Sequence, residues 1–181
     1  MPGGTGLAKH SPFVIGLTGY TCSGKSWLAR LLGSRGFSVI NLGDFTREVA
    51  RERNIPVRRH ESWDLFASLI KENPSWRVPR ILEAMRKLDS DHVVIDGIRT
   101  PEEAEALKKQ IGLRFLLVEV RLKDSLRLAR AGSRRREVDH EDWNEQAQER
   151  WLKMDKEEVA MIDRIRPLVD VVVDGGETNE S

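Results

Sequence analysis

From Phe13 onward, short apolar runs alternate with longer segments whose apolar residues recur at helical spacing, and this alternation predicts an α/β domain on a parallel sheet. Five runs, at residues 13–17, 39–42, 93–95, 115–120 and 169–173, are short and rich in β-branched residues, as strands covered on both faces must be. Helical segments fall at 25–32, 45–53, 61–70, 78–88, 102–110, 125–131 and 141–165. Gly33 and Gly36 close the first of these, and Asn54-Ile55-Pro56 closes the second. Residues 43–88 hold about three helices between consecutive strands, where one crossover would suffice. A helical insertion over one edge of the sheet is expected there. A second excursion, the Arg-rich piece 127–136, leads into a helix that starts near Asp139.

With 181 residues the chain is long enough for one domain that buries roughly 70% of its unfolded surface, so no disulfide or metal is needed to support a core. The 30 Lys and Arg residues face 29 Asp and Glu, a net charge of +1, which speaks against a general nucleic-acid or membrane-surface binder. Any basic function is therefore local. The single Cys22 excludes an internal disulfide and a Cys-rich zinc site and fits a reducing cytoplasm. Residues 1–12 read as a mobile Gly- and Pro-rich tail without the apolar run of a signal peptide, and no stretch has the length of a membrane span.

The sharpest chemical signal is Gly19-Tyr20-Thr21-Cys22-Ser23-Gly24-Lys25-Ser26, followed by Trp27. Gly, four residues and Gly-Lys-Ser is the Walker A phosphate-loop spacing, and an apolar strand enters it while a helix leaves it. Successive N–H groups and the helix N-terminus then point at an anion, Lys25 reaches the β/γ-phosphates, and the Ser26 hydroxyl holds Mg²⁺. Asp96 ends an apolar strand, in the crevice where parallel sheets collect ligands, and is a second Mg²⁺ candidate; Arg99, three residues on, is within reach of a phosphate. Asp44 stands where a helix cap is expected, and a capping and a chemical role both remain open. Arg47 falls in the first helical turn, unfavourable for the dipole unless it faces an anion. The cluster Arg127, Arg130, Arg134, Arg135 and Arg136, broken by Gly132, suits a segment that closes over phosphate, with Arg130 and Arg134 the arginines expected to act on it. Carboxylates that follow the cluster argue against a nucleic-acid groove. Among the five tryptophans, Trp63 is the candidate acceptor contact; the four histidines show no metal-ligand spacing.

These motifs resemble the nucleoside monophosphate kinases of the P-loop class over residues 13–176. Gly43-Asp44-Phe45-Thr46-Arg47 looks like the segment whose Arg holds the acceptor phosphate, and Asp96-Gly97-Ile98-Arg99-Thr100 looks like an adenylate-kinase stretch one residue longer. The nearest likeness is to a largely archaeal family of nucleotide-kinase-like proteins related to dephospho-CoA kinase. It rests on the Leu-Gly-Asp helix start, the Val-Ile-Asp-Gly-Ile-Arg segment and the Arg-rich piece before a long helix. The resemblance implies a three-layer P-loop fold with a five-stranded parallel sheet. It implies a core at 13–43 and 91–176, an acceptor-binding insertion at 44–90, a lid at about 127–140 and a tail at 177–181. It places adenine between Arg130 and the loop at Gly175. The expected activity is transfer of the ATP γ-phosphate, with Mg²⁺, to a nucleoside monophosphate by a monomer or homodimer. A hydroxyl acceptor of the dephospho-CoA type and a regulatory ATPase are the alternatives.

Overall fold

The computed structural model describes residues 12–57, 59–133 and 144–176. Arg134, half of the expected lid (134–140) and both expected tails apart from Pro12 lie outside the described residues. In chain order the elements are β1 (Phe13–Thr18), α1 (Lys25–Gly33), β2 (Ser38–Asn41), α2 (Leu42–Glu52), α3 (Arg59–Glu72), α4 (Val78–Lys87), β3 (His92–Asp96), α5 (Pro101–Ile111), β4 (Phe115–Arg121), α6 (Asp124–Ser133), α7 (Glu145–Ile165) and β5 (Val171–Asp174). The five strands form one parallel sheet in the order β2-β3-β1-β4-β5. The chain runs outward from β1 to β2, returns to β3 beside β1, and then crosses to β4 and β5. The switch of direction between β1 and β3 opens a crevice at their carboxyl ends.

Both faces of the sheet are covered, which explains why its central strands are apolar over most of their length. On one face Ala29, Leu28 and Leu32 of α1 pack on Leu17, Val94 and Val118. On the other, Leu107 of α5 and Ile162 and Ile165 of α7 join Val14, Val93, Ile95 and Leu117. Each such side chain contributes roughly 1.5–3 kcal/mol by leaving water. Helices α2, α3 and α4 all lie between β2 and β3, and their placement divides them. Val78 and Ile81 put α4 into the main core, while Val49, Ala50, Leu65 and Leu69 of α2 and α3 form a smaller cluster of their own. No helix among the described residues is long and apolar enough to cross a membrane.

Local expectations are corrected at two places in the chain. Leu42 does not end β2; it opens α2, because the Asn41 side chain accepts the Gly43 N–H and caps the helix while Leu42 turns into the core. Asp44 is therefore not the cap, and Arg47 falls beyond the first turn, so the dipole argument for an anion at Arg47 lapses. The last strand begins at Val171, two residues later than its apolar run, because Arg166–Leu168 forms a 3₁₀ turn. Asp170 then accepts the Leu117 N–H and pairs with Lys108.

One buried ion pair ties the inserted helices to the sheet. Arg77 is 2% exposed and Glu103 0%, and two guanidinium nitrogens meet the two carboxylate oxygens at 2.6 Å. Arg77 also lies 4.7 Å over the Phe66 ring, and its Nη2 donates to the Gly97 carbonyl, while Glu103 accepts the Arg99 N–H. The segment that carries Asp96 and Arg99 is thus held by a charge from the insertion and a charge from α5. Removing one partner leaves the other buried and unpaired, so Arg77→Met should cost about 3–5 kcal/mol in urea unfolding. Pairing it with Glu103→Leu should recover more than half of that loss. Equal destabilisation in the single and double variants would show that the ion pair is not what holds the segment.

Candidate active site

The phosphate loop is shaped by two glycines. Gly19 has a φ of 129°, and a Cβ there would meet the Val120 carbonyl oxygen at 2.3 Å; Gly24, at φ 110°, ends the loop and opens α1. No side chain caps α1, so the positive end of its dipole and its first N–H groups stay directed at the loop. The Ser23 hydroxyl is buried with no hydrogen-bond partner among the described residues. Lys25, the first residue of α1, is buried, and its ammonium donates to the carbonyls of Gly19 and Tyr20 at 2.6 Å each. Burial pulls its pKa down to about 8 against the opposing pull of Glu158.

Strand pairing sets Asp96 beside this loop. Leu17 of β1 lies opposite Asp96 of β3, and Gly97 and Ile98 both donate their N–H to the Leu17 carbonyl. Asp96 is buried, and its charge acts on Lys25. Arg99 turns toward the same region: its Nη2 lies 3.1 Å from Glu158, and its guanidinium sits 5.5 Å over the Trp63 ring. Trp63 is buried, with its indole N–H donated to Glu157, so its ring backs Arg99 instead of offering an open face. Asp44 and Arg47 pair with each other, and the Asp44 side chain is 59% exposed. The start of α2 borders the Asp96–Gly97 turn, since a Cβ on Gly97 would lie 3.8 Å from that of Leu42.

Across the loop, Arg130 of α6 donates to the Gly175 carbonyl at 3.1 Å, and its Nη1 would be 3.7 Å from a Cβ on Gly24. Gly175 packs so tightly that a Cβ there would collide with the Ser23 carbonyl oxygen. Arg130, Gly175 and the loop therefore meet. Arg127, expected among the phosphate-facing arginines, is instead buried: it pairs with Asp124 and Asp155 and donates to the Thr21 carbonyl. Burial opposes its charge, but the two carboxylates hold its pKa above the usual range.

The sequence reading missed Glu158. This α7 residue is almost wholly buried and accepts the Thr21 N–H at 2.6 Å. Burial pushes its carboxyl up, but Arg99, Lys25 and the Thr21 N–H outweigh burial and hold it below the usual carboxylate range. The signal for it was present: Trp151, Glu158, Ile162 and Ile165 share the buried stripe of α7, so a carboxylate occupies an apolar register position. Glu103, also missed, is the fourth residue of a Thr-Pro-Glu-Glu capping pattern in which Thr100 accepts the Glu103 N–H.

The AAA_18 family, described as an AAA domain, matches residues 15–152. A UPF0200 protein of Methanothermobacter thermautotrophicus is 31% identical over 137 residues, covering 73% of this chain and 67% of the relative. The chain belongs to both families. A UPF0200 protein of Pyrococcus horikoshii is 27% identical to this AAA_18 chain over 168 residues, 88% of it and 86% of the relative. A longer UPF0200/UPF0201 protein of Archaeoglobus fulgidus is 33% identical over 129 residues, of which only 40% of its own length is covered. The crystal structure of TT1252 from Thermus thermophilus superposes with a TM-score of 0.55 at 18% identity, covering 94% of this chain and 90% of that one. A gluconokinase from Sinorhizobium meliloti 1021 gives a TM-score of 0.54 at 16% identity, covering 91% and 83%. At those identities the likeness is one of fold: the AAA_18 chain has the parallel three-layer fold of P-loop kinases.

The loop of this UPF0200 member is also fastened through its tyrosine, which is unique in the chain. The Tyr20 hydroxyl donates to Asp163 at 2.6 Å and accepts from Arg166, and Arg127 lies 4.7 Å over the ring. Burial, followed by the Asp163 hydrogen bond, raises its pKa to about 12 against the opposing Arg166. Because no other tyrosine absorbs, phenolate absorbance reports Tyr20 alone. The native chain should still hold a neutral phenol at pH 10.5, and Asp163→Asn should move the midpoint back toward 10, the value for a free tyrosine. A midpoint near 10 in the wild-type chain, with native circular dichroism, would contradict this anchoring.

Proposed function

We propose that the chain is a cytosolic, Mg²⁺- and ATP-dependent phosphotransferase whose acceptor is a small phosphorylated molecule, most simply a nucleoside monophosphate. The observation that carries this reading is the convergence of Lys25, Asp96 and Arg99 at the carboxyl ends of the paired strands β1 and β3. The residues present fit a bound nucleotide: two glycines in the left-handed region, an uncapped helix N-terminus and an orphaned Ser23 hydroxyl form a cradle of donors. Ser26 and Asp96 would hold the magnesium ion, and the metal nucleotide supplies an electrophilic phosphoryl group. In this reading the loop amides and Lys25 bind donor phosphates, and Arg130 and Gly175 border the nucleotide beyond them. Arg99, backed by Trp63, addresses the acceptor, with Arg47, midway along α2, as its second contact. Catalysis of this kind is positioning and charge neutralisation, which is what a set of buried, mutually braced charges supplies. Arg134, the second arginine expected to act on the transferring group, keeps that role in the proposal.

The decisive experiment is a panel of nucleoside monophosphates and dephospho-CoA with γ-labelled ATP, followed by identification of the labelled product. Lys25→Ala and Asp96→Asn should each lower phosphoryl transfer by ~10²–10³ with the fold retained. Near-normal turnover in either would remove that residue from the site. The ammonium form of Lys25 is the one that binds phosphate, so MgATP affinity should decline as the pH rises through about 8. Lys25→Arg should abolish that decline, and a wild-type affinity flat from pH 7 to 9.5 would contradict the role.

Asp44 separates the acceptor classes. A phosphate acceptor, with a second pKa near ~6, needs no base at neutral pH, whereas a ribose hydroxyl gains ~10²–10⁴ from one. Asp44 does not cap α2, so Asp44→Asn should leave helix stability nearly unchanged. With a nucleoside monophosphate the loss in turnover should stay below about tenfold. A loss near a thousandfold on the best acceptor, with ATP affinity intact, would assign the chain to hydroxyl phosphorylation.

A further inference from the structure

Glu158 presents a contradiction if the loop is only a phosphate cradle. A loop that binds phosphate gathers donors and positive charge, yet a carboxylate from α7 already accepts one of its N–H groups, at Thr21. The same carboxylate faces Arg99 at 3.1 Å, and Lys25 acts on it as well. A backbone N–H, an ammonium and a guanidinium are the partners a phosphoryl group requires. Lys25 meanwhile gives two of its hydrogens to the loop's own carbonyls. Two of the site's donors, the Thr21 N–H and the Lys25 ammonium, are thus answered by the chain itself. A phosphoryl group and the Glu158 carboxylate carry like charge, and in a buried site they cannot share one set of donors.

We propose that Glu158 is a built-in competitor for the outermost phosphate position of the loop, and so determines which phosphate chains the loop accepts. The inference rests on the phosphate-loop reading given above. Amides near the start of α1 address the inner phosphates and Lys25 the outer ones, so the place held beside Lys25 and Arg99 belongs to the terminal group of a triphosphate. A diphosphate fills the inner positions and leaves Glu158 where it is. A triphosphate has to displace the carboxylate from Thr21 and Arg99, which loosens α7 from the loop and releases Arg99 toward the ligand. The penalty falls on ATP and spares ADP. Glu157, the preceding residue, accepts the Trp63 indole N–H, so a shift of α7 at this point is also felt by the helix that backs Arg99.

The test is calorimetric titration of the full chain with MgATP and MgADP, in the wild type, in Glu158→Gln and in Glu158→Asp, with circular dichroism to establish folding. Glu158→Gln keeps the shape and an acceptor for Thr21 but removes the charge. It should bind MgATP about tenfold more tightly or better and MgADP within about twofold of wild type. Glu158→Asp, with a shorter reach to Thr21, should fall between. A Glu158→Gln variant that binds MgATP no better than wild type, or more weakly, overturns the proposal and makes Glu158 a residue that supports the site. Binding of neither nucleotide by any folded variant overturns the phosphate-loop reading and this inference with it; MgATP bound by Glu158→Gln but not by wild type supports both. If neither variant folds, the ¹³C-carboxyl resonance of Glu158 in the wild-type chain decides. It should move on saturation with MgATP and stay with MgADP, and a resonance that MgATP leaves in place overturns the proposal.

Discussion

The parallel register that sets Leu17 of β1 opposite Asp96 of β3 is the constraint on which the rest of the site depends. Because neighbouring strands run side by side, whatever follows Leu17 and whatever ends β3 must emerge at the same edge. The Leu17 carbonyl accepts both Gly97 and Ile98, so the turn after Asp96 is fixed to the strand that launches the phosphate loop. The Thr18 hydroxyl adds a further bond to the Ile98 carbonyl. A lysine, an aspartate and an arginine from two distant stretches of chain then meet without any loop having to fold back between them.

What this edge holds is charge, much of it buried, and buried charge is expensive unless each group is answered. The chain answers it in layers. Arg77 and Glu103 fix the turn that carries Arg99. Arg127 fixes Thr21 from one side through its carbonyl, while Glu158 takes the Thr21 N–H from the other. Tyr20 is held between Asp163 and Arg166, and Arg166 in turn meets the buried Glu119 of β4. Most of these braces come from α6, α7 and the turn that follows α7. The loop's conformation is therefore coupled to elements far downstream in sequence, and a change at either end is transmitted through named hydrogen bonds.

Sequence pattern revealed what is contiguous and missed what is assembled. The loop from Gly19 to Ser26 was legible because spacing, strand and helix all lie in one short stretch, and Asp96 because a charge ends an apolar run. The strands were legible from β-branched content, with errors of one to two residues at ends where caps decide, as at Asn41. Of the two roles open for Asp44, the capping one falls to Asn41, three residues earlier, whose side chain accepts the Gly43 N–H. Glu158 was not singled out because it lies in a segment dense with charge, and Arg77 because it is a single basic residue between two prolines; only burial distinguishes them from solvated groups. Thr21 and Glu158 are separated by 137 positions, so no local window joins them. A carboxylate in the apolar stripe of α7 was the one clue that a closer reading of periodicity would have caught.

The central claim is that this edge of the sheet, and the loop from Gly19 to Ser26 in particular, is where a nucleotide's phosphates bind. The most direct measurement is the amide spectrum of the ¹⁵N-labelled chain titrated with MgATP. The account predicts saturable shifts concentrated at Gly19–Ser26, with smaller ones at Gly175, whose backbone packs on the loop at Ser23. A spectrum in which those amides stay in place while MgATP binds elsewhere, or in which millimolar MgATP moves nothing, would contradict it.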